Sequence, residues 1–218
     1  MASKAAQSRA ISIYQDSIAR VSRRIGRQAA KRIAVITGNP AYDTPAIRDA
    51  VRQIILNGLI DADSSRPLPG IVNEMIVTTM EPLLPEGTTT IQFVEASTIA
   101  YKQLEAAITR ALLTKKMAER ESILAGAAVD LQASRVEETR ASIIDGTASV
   151  WANGKQQTVS NRVGSKATDY YWERITEPGA CKWCTSIAPR KTSIYEAFPR
   201  HNHDRCTRRL VRGSLGGI

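Results

Sequence analysis

Apolar residues at Ile11, Tyr14, Ile18, Val21 and Ile25 recur at steps of three and four, which draws one apolar stripe down a helix. Arg20, Arg24, Arg27 and Lys31 step the same way on a different face, so residues 3–36 are expected to form one long basic helix. Gly38, Asn39 and Pro40 end it. Thr44-Pro45 is an N-cap followed by proline at the first helical position, and the helix it opens carries Ile47, Val51, Ile54, Ile55 and Leu59. Residues 64–70 hold two prolines and read as a loop. Residues 71–83 predict a short apolar helix that Pro85 and Gly87 close. Val94, Tyr101, Leu104, Ile108, Ala111 and Leu112 approximate helical spacing, and helical composition continues with interruptions to about Ile144. Asp145-Gly146 and Asn153-Gly154 signal turns. A last helix is expected over 161–175, stopped by Glu177-Pro178-Gly179. No internal repeat is visible. The fold class expected from this pattern is mainly α. A helical body, residues 1–176, precedes a small C-terminal module, residues 177–218.

Composition changes this picture little. A chain of 218 residues has room for one large or two small domains, and 43% hydrophobic with 23% charged residues is near the average for a soluble globular protein. Aromatics at 5% speak against a large β-sandwich. The longest apolar stretches, such as Ile123 to Val129, are too short to cross a bilayer, so no membrane span is expected. No apolar core follows the basic N-terminus, so no secretory signal is expected.

Charge changes it more. The net charge is +9, and it is segregated: +7 over residues 1–36, −5 over 37–154 and +7 over 155–218. Basic ends around an acidic middle point to a nucleic-acid or acidic-protein partner. Two patches are expected to make that contact. One is Arg20, Arg24, Arg27 and Lys31; the other is Arg205, Arg208, Arg209 and Arg212.

All three cysteines and both histidines lie between Cys181 and Cys206. Cys181-Lys-Trp-Cys184 and His203-Asp-Arg-Cys206 are two tight turns at ligand spacing, which suits one tetrahedral Zn²⁺ held by three thiolates and an imidazole. His201 is a substitute for His203. Four ligands leave no open position, so the zinc is expected to be structural, making 177–218 a zinc-knuckle module. Tyr170, Tyr171, Trp172 and Trp183 are the nearest large apolar groups and are expected to dock that module on the preceding helix. Catalytic signals are thin. A Cys184–His201 nucleophile pair competes with the metal for its residues, and no phosphate-binding loop is present. No catalytic residue is assigned.

The run from Tyr171 to Cys184, with Glu177-Pro178-Gly-Ala-Cys181-Lys-Trp-Cys184 at its end, and the later His203-Asp-Arg-Cys206 resemble the C-terminal signature of the Mu protein F-like minor head proteins of tailed phages. The likeness covers about residues 170–210. Arg208 stands where that signature has a further cysteine. The resemblance implies a minor virion component involved in head morphogenesis, assembled in the bacterial cytoplasm and carried in the head interior. It also implies contact with the portal, the major capsid protein and packaged double-stranded DNA. Two other readings stand beside it: a capsid maturation protease or other virion-associated hydrolase, and a zinc-containing DNA-binding protein.

Overall fold

The computed structural model of the chain describes residues 2–36, 44–60, 67–159, 169–200 and 205–213. Five longer helices form the body: α1 (Lys4–Ile36), α2 (Pro45–Ile60), α3 (Leu68–Met80), α4 (Thr98–Leu113) and α5 (Met117–Ile144). A 3₁₀ turn, Glu81–Leu83, follows α3. Helix α5 packs against α1 on one side and α4 on the other, while α1 also packs on α2 and α3. Ile18 and Ile25 of α1, Ile55 of α2, Ile76 of α3, Ile108 of α4 and Leu124 of α5 are fully buried. Each such side chain contributes about 1.5–3 kcal/mol by leaving water.

Local chemistry sets the helix ends. The Ser3 hydroxyl accepts from the Ala6 N–H (3.2 Å) at the start of α1, and Ser97 caps α4 by accepting from the Ala100 N–H (3.2 Å). The helical stretch after Val94 divides at Thr114-Lys115-Lys116, where no helix forms and α5 begins afresh. Where α1 crosses α5, a Cβ on Gly26 would lie 2.4 Å from the Glu121 carbonyl oxygen. The approach of the two backbones therefore requires glycine.

Two small antiparallel sheets correct the expectation of a helical body with a zinc knuckle. The first has strand order β1 (Thr88–Ile91), β2 (Ser149–Ala152), β3 (Lys155–Thr158). Asn153 and Gly154, at φ 53° and 73°, make the tight turn between β2 and β3, with Ala152 opposite Lys155. The second sheet has order β5 (Thr192–Ser193), β4 (Tyr170–Ile175), β6 (Thr207–Arg212). Residues 170–175 are thus a strand, not the end of a helix; the earlier part of that expected helix lies outside the described residues. The reason is legible in hindsight. Tyr-Tyr-Trp-Glu-Arg-Ile is aromatic and β-branched, and it alternates, with Trp172 and Arg174 buried between less buried neighbours. The six residues of β4 pair with β6 from Tyr170↔Arg212 to Ile175↔Thr207, so the sheet runs across the position 176/177.

A core of this sheet replaces the expected metal knuckle. Trp172 is fully buried with Ile194 and Leu210, and its indole N–H donates to the Ile194 carbonyl (3.1 Å). Among the described residues no group of three His, Cys, Asp or Glu side chains is placed to hold a metal ion. A short helix α6 (Lys182–Ile187) carries the first cysteine pair. No helix among the described residues is long and apolar enough to cross a membrane.

Candidate functional site

Cys181 caps α6: its Sγ accepts from the Cys184 N–H (3.4 Å). Cys181 is exposed, whereas Cys184 and Cys206 are buried. Beside Cys184 lies the Arg174 guanidinium, 3.9 Å from its sulfur. Arg174 is itself held over the Phe198 ring at 4.1 Å and the Trp183 ring at 5.6 Å, and it donates to the Pro199 carbonyl. Among the described residues Cys181, Cys184 and Cys206 form no group placed to hold a metal ion. His203 and His201, the proposed imidazole ligands, lie outside the described residues.

The strongest electrostatic feature is internal. Arg140 of α5 is fully buried. Its Nη1 donates to Glu137 (2.9 Å) and to the Thr207 hydroxyl (3.0 Å). Its Nη2 donates to the Arg208 carbonyl (2.8 Å) and the Thr79 hydroxyl (3.3 Å). Arg208 completes the knot: its guanidinium pairs with Glu137 at 2.7 Å and stacks over Trp172 at 4.4 Å. Burial opposes ionisation of Glu137, but the Arg208 and Arg140 guanidiniums outweigh it and hold the carboxyl below its ordinary value. This knot joins α3, α5 and β6. Its signal in the sequence is a cation inside an apolar stripe, since Arg140 lies between Val136 and Ile143, both buried.

The docking group divides. Trp172 is the buried anchor, Tyr170 and Tyr171 are half-buried, and Trp183 is exposed at the surface. What they dock with is a sheet laid on the helices, with Gln15 of α1 donating to the Arg205 carbonyl (3.3 Å).

The two basic patches have different fates. On α1, Arg20, Arg27 and Lys31 are exposed, as is Arg23, which the stepwise pattern passes over; Arg24 is half-buried. The C-terminal patch is largely consumed within the molecule. Arg209 donates twice to Glu173 (2.9 and 2.7 Å) and to Ser8 of α1 (3.0 Å), Arg208 belongs to the knot, and Arg205 pairs with Glu177. Only Arg212 of the four is exposed. A cross-strand neighbour explains this: Glu173 and Arg209 are opposite each other in the β4–β6 register.

Two grooves flank α5. One, of about 620 Å³, lies between α1 and the first half of α5, with Arg23, Arg27 and Arg205 at its rim and Ala19, Ala125 and Gly126 in its wall. The other, of about 530 Å³, lies between α4, the second half of α5 and residues 194–200. Comparison of the chain with protein-family models, with curated proteins and with solved structures gives no match to any of them.

Proposed function

We propose that this chain is a minor structural protein of a tailed-phage head, working by contact with the portal, the major capsid protein or packaged DNA and not by catalysis. The observation that carries this reading is the resemblance of Tyr171 to Cys184 and His203 to Cys206 to the minor head protein signature. The cationic row on α1 supports it. Arg20, Arg23, Arg27 and Lys31 project from one rigid helix into solvent, a row suited to phosphates or to an acidic protein surface. The C-terminal arginines support a different role, because three of the four pair with carboxylates of the molecule itself, Glu177, Glu137 and Glu173.

Mass spectrometry of purified virions tests the placement, with the chain expected in mature particles; its absence from them would overturn the reading. The nucleic-acid arm has its own measurement. Duplex DNA binding should be indifferent to sequence and fall steeply with salt. Arg23→Glu with Arg27→Glu should weaken it, and Arg209→Gln should act on stability instead. Binding that ignores the α1 row would assign the row to a protein.

A further inference from the structure

Cys181-Lys-Trp-Cys184 spans the start of α6, and its two cysteines are thiols. Cys181 is the N-cap residue, extended at φ −66° and ψ 164°, and its Sγ accepts the Cys184 N–H at 3.4 Å. The sulfur therefore points into the turn that carries Cys184. The Cα separation of the pair depends on the torsions of Lys182 and Trp183 alone. Both are helical, which fixes it at about 5 Å, within the roughly 4.4–6.8 Å that a disulfide bridges.

The two sulfurs differ in access. Cys181 is exposed, as are its neighbours Lys182 and Trp183. Cys184 is 1% exposed. The Arg174 guanidinium lies against the Cys184 sulfur at 3.9 Å and is itself held by the Phe198 ring and the Pro199 carbonyl. A reagent from solvent therefore meets Cys181, and Cys184 can answer only from the interior side.

We infer that Cys181 and Cys184 are a thiol–disulfide exchange couple, with Cys181 the attacking thiol, Cys184 the resolving thiol and a low-molecular-weight disulfide the co-reactant. The Cys181 sulfur gives up its proton and displaces one thiol from that disulfide, which leaves a mixed disulfide on Cys181. The Cys184 sulfur then gives up its proton, attacks the Cys181 sulfur and expels the second thiol. Each step breaks one S–S bond and forms another. The two cysteines lose two electrons, the co-reactant gains them, and the two protons end on the released thiols. Because one of its sulfurs is exposed, the new bond is of the labile kind and excess thiol reverses it. This chemistry needs neither DNA nor a virion, so its failure and that of the head-protein reading are separate.

The full chain, reduced and freed of reductant, is exposed to oxidised glutathione near neutral pH, quenched with acid and digested. Trypsin cuts after Arg174, Lys182 and Arg190, so the two cysteines fall in separate peptides, Ile175–Lys182 and Trp183–Arg190. Mass spectrometry should find these peptides joined, and parted again by reduction. Cys184→Ser should stop at one glutathione carried on Cys181. Cys181→Ser should take up glutathione at least about tenfold more slowly, since the remaining sulfur of the pair is buried. Cys206→Ser should form the joined peptides as the parent does. The parent alone can sink the proposal, whatever the variants do to folding. Glutathione that stays on Cys181 in the parent overturns it, as does a bond from either cysteine to Cys206. Oxidation that begins only after a chelator is added overturns it too, because the thiols would then belong to a metal site.

Discussion

At the scale of single residues, Arg140 and Glu137 decide how the C-terminal sheet is held. A buried guanidinium needs partners for its donors, and the two terminal nitrogens of Arg140 meet carboxylate, carbonyl and two hydroxyls, while its Nε meets none. The Glu137 carboxyl is held below its ordinary value by the two arginines despite burial. Folding therefore favours its charged form. That contribution is complete above the ordinary glutamate value of about 4.3 and drains away as pH falls below it towards the lowered native value. Urea midpoints followed by tryptophan fluorescence should be level from about pH 7 to 5 and drop below about pH 4. Glu137→Gln should cost about 3 kcal/mol at neutral pH, because two guanidiniums lose their counter-charge. The gap between parent and variant should narrow in acid, and an equal gap at both pH values would remove Glu137 from the account.

At the scale of elements, the crossing of α1 and α5 is set by small residues. Replacing Gly26 by alanine gains up to about 1 kcal/mol of helix propensity. It also places a methyl 2.4 Å from the Glu121 carbonyl oxygen and 2.9 Å from the Ala125 Cβ. Backbone cannot rotate aside, so overpacking of about 1–3 kcal/mol wins and Gly26→Ala should lower the thermal midpoint. Gly70 of α3 is the contrast, since a Cβ there meets nothing within 4 Å. Gly70→Ala should hold or raise the midpoint, and a Gly26→Ala protein as stable as Gly70→Ala would mean that the helices do not approach this closely. The strand β4 shows the opposite balance between local pattern and context. Aromatic residues at helical positions and aromatic residues alternating on a strand are hard to tell apart over six positions. The partner β6 resolves it by supplying six registered pairs.

At the scale of the whole molecule, the C-terminal segment is built into the body by polar and apolar contacts to α1, α3 and α5. Ser8 and Gln15 reach it from α1 and Arg140 from α5, and Arg140 also donates to Thr79 of α3. Trp172 seals the interior, and burying a ring of that size contributes on the order of 2–3 kcal/mol. The sheet should therefore survive a strong chelator. Near-ultraviolet circular dichroism and the thermal midpoint are expected to be the same before and after chelation. A loss of the tryptophan signal on chelation would restore metal as the element that holds this segment.

Sequence alone determined the features that depend on near neighbours in the chain. The apolar periods of α1 and α2, the Thr44-Pro45 start, the Asn153-Gly154 turn and the clustering of every Cys and His in one segment all belong to this kind. Each follows from spacing within a few residues, where backbone geometry admits few alternatives. Tertiary structure alone decided which cations are available. Arg20 and Arg209 look alike in a string of letters. One faces water, while the other is opposite Glu173 because β4 and β6 pair in a given register.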